Sequence, residues 1–155
     1  MNSSNSILDQ LKLSEPRQHQ RGSVEQQCRD RIVQALTEQL LLVHADLENR
    51  EHTLTVRRYL SGDNGLRQAH DVRKRVRKWY WPDPSGVWFM EMRYGNRPLQ
   101  LAQGKSTIEI GGREQLRSTI EKLIDAVRLG ELDGALKNAW TERRKILKRK
   151  QTVKA

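Results

Sequence analysis

The hydrophobic period of this chain changes near residue 50, and that change constrains the fold more than any other feature. Val24, Cys28, Ile32, Leu36, Leu40, Val43 and Leu47 recur at spacings of three and four, the single stripe of a long amphipathic helix. "SVEQ" opens it as a capping box, with Ser23 as N-cap and Gln26 three residues on. Leu41 and Leu42 widen the stripe, as suits a helix lying across a sheet. A homodimer through this helix, residues 23–50, is the alternative use of the same stripe.

After "ENREH" the period becomes two. In residues 53–60, "TLTVRRYL", Leu54, Val56 and Leu60 share a face that Arg58 interrupts. "SGDNG" is a turn signal, and residues 71–81, "DVRKRVRKWYW", read as the next strand. "PDPSG" forces another turn. "VWFMEMRY" then puts Trp88, Met90, Met92 and Tyr94 on one face and Phe89, Glu91 and Arg93 on the other. Gly95–Asn96 is a two-residue hairpin signal; Leu99, Leu101, Ile108 and Ile110 continue the sheet, and Gly111–Gly112 end it. Leu116, Ile120, Leu123, Ile124 and Val127 trace a second helix closed by Gly130. Leu132, Leu136, Ala139 and Trp140 begin a third, which runs into "TERRKILKRK". The order predicts an α+β fold: an antiparallel meander of four to five strands packed against a long N-terminal helix and C-terminal helices. Residues 1–22 read as a flexible polar arm in which "SILDQLKL" offers one helical turn. Residues 23–140 form the domain, and residues 141–155 a basic tail extending the last helix.

A chain of 155 residues suffices for one core without metal or disulfide support, and a lone Cys28 excludes an internal disulfide or a Cys-rich zinc site. Cys28 lies on the helical stripe and reads as a small buried apolar residue. No apolar run is long enough to span a membrane, and neither a signal peptide nor a lipidation motif is recognisable, so a cytoplasmic location is expected. The charge is uneven. Residues 1–70 carry nine basic and nine acidic residues, so the net +10 resides in residues 71–155. Clustered positive charge of this kind points to a polyanion partner.

Catalytic and metal readings find little support. His19, His44, His52 and His70 fall in different elements without metal-ligand spacing. "GKS" at 104–106 lacks the glycine five residues earlier, where Leu99 stands, and precedes a strand rather than a helix. Asp83, Glu91 and Arg93 resemble the Pro-Asp, acid-x-Lys pattern of metal-dependent nucleases. However, Arg93 replaces the lysine and is poor at moving protons. No catalytic residue, metal or cofactor is assigned, and a weak nuclease is the third reading.

The basic and aromatic cluster is the main candidate. Strand alternation through residue 81 places Arg73, Arg75, Arg77, Trp79 and Trp81 on one side, with Lys74 and Lys78 on the other. Arginines at i and i+2 lie about 7 Å apart, near the spacing of phosphates along one strand. Trp79 and Trp81 either stack unpaired bases at the end of that row or face the core with Trp88 and Met90. Arg143, Arg144, Lys145, Lys148, Arg149 and Lys150 form a second cluster, a phosphate-binding arm.

The segment "WYWPDPSGVWFMEMRYGNRPLQLAQGKSTIEI", followed by "LIDAVRLGELDGAL", resembles a family of short, basic bacterial proteins of unknown function over residues 79–136. The order "RYGN…GK…IE" carries that resemblance. It implies no activity. In architecture, a basic meander backed by a helix is also similar to the arm-type DNA-binding domain of phage-like integrases. The expected function is a non-enzymatic, nucleic-acid-binding accessory protein for DNA or RNA. The alternative from another class is an adaptor or inhibitor, carried by a mobile element, that binds an acidic protein. No membrane partner is expected.

Overall fold

A computed structural model describes residues 7–18 and 21–153. The expected helical turn is a 3-10 turn at Ile7–Gln10, whereas residues 1–6, His19 and Gln20 of the arm, and Lys154 and Ala155 of the tail, lie outside the described residues. The fold is α+β, as the change of period predicts. Helix α1 (Val24–Leu47) extends for about 36 Å at the usual helical rise. Ser23 caps it by accepting a hydrogen bond from the Gln26 N–H at 3.2 Å. The reciprocal half of the box is absent, because the Gln26 amide turns to Asp30 at 2.7 Å. A Schellman motif closes the helix. Asn49 takes φ 53, its N–H donates to Asp46 O, and the Arg50 N–H donates to Ala45 O.

The expected meander is divided into three small sheets. Among the described residues, strands β1 (Thr53–Ser61) and β2 (Arg67–Arg75) pair only with each other, as a two-stranded antiparallel ribbon. Strands β3 (Tyr80–Pro82), β4 (Trp88–Glu91) and β7 (Thr107–Gly111) form a three-stranded antiparallel sheet in the order β3-β4-β7. Strands β5 (Arg93–Tyr94) and β6 (Arg97–Pro98) make the hairpin signalled by Gly95–Asn96. Helix α2 (Leu116–Arg128) ends in a second Schellman motif at Gly130, and α3 (Asp133–Val153) runs unbroken through the basic segment.

The core lies where α1 meets α2, α3 and the inner face of the sheet. Cys28, Ile32, Leu36, Leu42 and Val43 of α1 pack with Met90, Met92 and Tyr94, and with Leu116, Ile120, Ile124, Val127 and Leu136. Each such large apolar side chain removed from water stabilises the fold by about 1.5–3 kcal/mol. The stripe of α1 is thus used within its own chain, and Leu41 and Leu47 are the large apolar residues it leaves exposed. Arg29 makes a bidentate ion pair with Asp133, locking α3 to the first turns of α1.

The single strand expected over residues 71–81 is two strands with a break between Arg75 and Tyr80. The cause is Gln39, a buried polar residue on α1. Its Nε2 donates to the Arg77 carbonyl at 2.8 Å, and its Oε1 accepts from the Trp79 N–H at 2.9 Å. The side-chain amide does what a neighbouring strand would do, so the backbone there bonds to the helix and the alternation of faces is lost.

Candidate nucleic-acid interface

The β1–β2 ribbon stands apart from the fold. None of its residues belongs to the buried core, and among the described residues no other element packs extensively on either strand. Its register pairs Thr53 with Arg75, Thr55 with Arg73, Arg57 with Asp71, Tyr59 with Ala69 and Ser61 with Arg67. Directly paired residues share a face, so one face carries Arg57, Arg67, Arg73 and Arg75. The other face carries Leu54 with Lys74, Val56 with Val72, Arg58 with His70 and Leu60 with Gln68. The interruption by Arg58 expected from the sequence is present, but no core lies beneath it, since Val56, Arg58 and Leu60 are all exposed.

Asp71 offsets part of the basic face by pairing with Arg57 at 3.4 Å, and Glu51 approaches Arg75 at 3.3 Å. All four side chains are well exposed, so these pairs contribute little. Arg58, Arg67, Arg73 and Lys74 form no ion pair among the described residues. Over residues 53–75 six basic residues face two acidic ones, leaving +4 on an element with no packing role.

The remaining predicted residues separate. Arg77 is exposed, but its carbonyl is bound by Gln39. Lys78 pairs with Asp46 at 2.7 Å and is drawn back towards α1. Asp46 also accepts from the Tyr80 hydroxyl at 2.7 Å. Burial pushes the Asp46 carboxyl up, but the hydrogen bonds from Lys78 and Tyr80 and the charges of Lys78 and Arg113 outweigh it, holding it below the usual range. Burial and Asp46 in turn raise the Tyr80 phenol well above its ordinary value.

The two tryptophans part company. Trp79 is 9% exposed and belongs to the core, whereas Trp81 is 41% exposed. Trp81 stacks on Phe89 with ring centroids 6.4 Å apart, and the sheet register places Glu109 next in that row. A base platform continuous with the arginine row, as strand alternation predicts, is therefore not formed.

The second basic cluster lies on α3. Trp140, Thr141, Arg144, Lys145 and Lys148 line an open groove of about 210 Å³, and the Arg144 guanidinium sits 4.7 Å from the Trp140 ring centre. Lys145 pairs with Glu142 at 3.0 Å. Lys148, Arg149 and Lys150 are exposed and form no ion pair among the described residues. Arg143 is turned inward: it packs under Gly95, and its Nη1 is buried without a hydrogen-bond partner among the described residues. Ion pairs from Asp133 to Arg29 and from Lys137 to Glu25 place α3 against the N-terminal half of α1. The ribbon leaves from the opposite end of that helix, so the two basic elements lie at different ends of the molecule.

The carboxylates of the nuclease reading serve other ends. Asp83 accepts from the Ser85 hydroxyl at 2.7 Å and from the N–H groups of Ser85 and Val87. Those hydrogen bonds, that of the Ser85 hydroxyl foremost, hold its carboxyl below the usual range. Glu91 pairs with Arg93 at 2.9 Å. Hydrogen bonding sets Glu91 opposite Trp79 and Asp83 opposite Val87, so the two acids lie about 13 Å apart along the strands. Among the described residues no group of three or more His, Cys, Asp or Glu is placed to hold a metal ion, and no helix is long and apolar enough to cross a membrane.

Sequence reasoning missed Arg57, Arg58 and Arg67, which sit in the electrically neutral half of the chain. The signal was available, since a hairpin at "SGDNG" must bring residues 57 and 58 beside residues 70 and 71. No family model matches the chain, and neither a curated protein nor a solved structure matches it.

Proposed function

We propose that this protein is a non-enzymatic nucleic-acid-binding accessory protein that holds phosphate backbone with the β1–β2 ribbon and the C-terminal turns of α3. One observation carries the reading: the ribbon gathers Arg57, Arg67, Arg73 and Arg75 on one face and gives no residue to the core. A two-stranded ribbon is marginally stable alone in water, so a chain that keeps one extended, basic and unpacked points to a use outside the fold. Arginine suits that use because its guanidinium fork fits phosphate oxygens in a fixed geometry. Lys148, Arg149 and Lys150 supply a second foothold at the other end of the molecule, and two tethered footholds strengthen binding beyond what either gives alone. The reading places the protein in the cytoplasm with its nucleic acid.

The test is fluorescence anisotropy with labelled duplex DNA, single-stranded DNA and RNA between 50 and ~200 mM salt. Affinity is expected to fall steeply with salt. On a duplex, every cation withdrawn from a phosphate lowers the logarithmic slope by about 0.9, so Arg73→Ala with Arg75→Ala flattens it by about 2. Lys148→Ala, Arg149→Ala and Lys150→Ala together flatten it by about 3. No binding at the lowest salt, or a slope unaffected by either set, overturns the reading and favours an acidic protein as the partner.

A further inference from the structure

The tip of the ribbon is built differently from its shaft. Tyr59, Leu60 and Leu66 are 64%, 52% and 66% exposed and lie within the last residues before and after the turn, Tyr59 on the arginine face and Leu60 on the other. The described fold makes no use of them. The turn that carries them is firmly made: the Gly62 N–H donates to Leu66 O at 2.8 Å, and the Gly65 N–H donates to Gly62 O at 2.9 Å. The Leu66 N–H donates to the Asn64 side chain at 3.2 Å. Gly65, at φ 74, adopts the left-handed conformation that a hairpin loop of this kind requires. The apolar side chains are thus presented from a preorganised tip, with Arg58 and Arg67 immediately behind them.

We propose that the ribbon engages duplex DNA tip first, with Leu60 and Leu66 as a wedge that enters a base step and bends the duplex. This rests on the nucleic-acid reading above and names its substrate as duplex. Three features support it. The shaft, nine residues per strand, is about 30 Å long, enough to track a groove for most of a helical turn. The arginine face supplies the charge complement for phosphates on either side of the groove. An aliphatic tip between basic residues matches what unstacking needs: an apolar wedge inserted between bases while cations hold the backbone, kinking the duplex by about 20–90°. A shaft that merely neutralised phosphate would gain nothing from two exposed leucines at its end.

The experiment uses the full chain and a duplex of ~30 base pairs with a donor and acceptor dye on opposite ends, titrated to saturation at low salt. Binding and energy transfer are read on the same sample. The unmodified protein is expected to raise energy transfer at saturation. The Leu60→Ser, Leu66→Ser double variant, altered outside the core, is expected, once saturated, to leave the duplex as straight as when free. Arg73→Ala with Arg75→Ala is expected to bind more weakly but to bend the duplex fully once saturated. Saturable, salt-sensitive binding with no rise in energy transfer overturns the wedge and leaves the nucleic-acid reading standing. So does a tip variant that bends the duplex as the unmodified protein does. Absence of saturable binding overturns both.

Discussion

Gln39 decides the local structure of the segment that the sequence makes most conspicuous. It is 2% exposed, and its amide bonds both the Arg77 carbonyl and the Trp79 N–H. Without it, the buried Trp79 N–H is left without a partner at about 1–3 kcal/mol, whereas the part-buried Arg77 carbonyl can turn to water. Gln39→Ala is therefore expected to destabilise the protein by about 1–3 kcal/mol in urea unfolding and to red-shift tryptophan emission as Trp79 becomes wetter. A destabilisation below ~0.5 kcal/mol would show that water replaces the amide at no cost. The clue to Gln39 is in the chain. Ile32, Leu36, residue 39 and Val43 are themselves spaced by four, three and four, so a glutamine occupies a core position of the stripe. A polar side chain there must find partners. Periodicity alone selects Leu40 instead, because it ranks residues by hydrophobicity and cannot see a backbone strand waiting for an amide. That one choice separates Trp79 from Trp81 and shortens the predicted arginine row.

At the scale of elements, legibility follows packing. The buried faces of α1, α2 and β4 are readable because burial imposes a period, and Cys28, Met90, Met92 and Ile120 are where that period puts them. Turns at "SGDNG", "PDPSG" and "GN" are readable because glycine and Pro-Asp chemistry is local. The β1–β2 ribbon is readable as two strands but not as an isolated pair. Alternation of Leu54, Val56 and Leu60 implies a covered face, and nothing local reveals that no element covers it. This independence has a consequence. Strand partners Thr53 and Arg75 are adjacent across the ribbon, so a short turn can replace everything between them. Replacing residues 54–74 with a four-residue Gly-Ser turn is expected to leave helical circular dichroism intact and the thermal midpoint within ~5 °C, because no core residue is removed. The same protein should lose most of its salt-dependent binding to nucleic acid. Collapse of the fold would instead assign the ribbon a structural role.

At the scale of the whole molecule, the excess of positive charge and the placement of the carboxylates together set the response to acid. Asp46 joins α1 to Lys78 and Tyr80, and Asp133 joins α3 to Arg29 of α1. The Arg29 hydrogen bond holds the Asp133 carboxyl below its ordinary value, as Lys78 and Tyr80 do for Asp46 against the push of burial. A carboxyl depressed in the folded state stabilises the fold above its unfolded value, about 3.9 for Asp, and that contribution disappears as pH falls through the folded value. Below pH ~4 the links between helices and sheet weaken together. The 29 lysines and arginines meanwhile keep their charge and repel one another with fewer counter-charges between them. Stability should therefore fall from pH ~5 downward, and added salt should restore part of it by screening. Asp46→Asn isolates one link. At pH 7 the variant should unfold at lower urea than the unmodified protein, because the charged hydrogen bonds from Lys78 and Tyr80 are gone. At pH 3 the gap should shrink, since the unmodified carboxyl is then also losing its charge, while Asp133 and Asp83 titrate alike in both proteins and cancel. A gap of the same size at both pH values would mean that Asp46 acts through shape and neutral hydrogen bonding rather than through its charge.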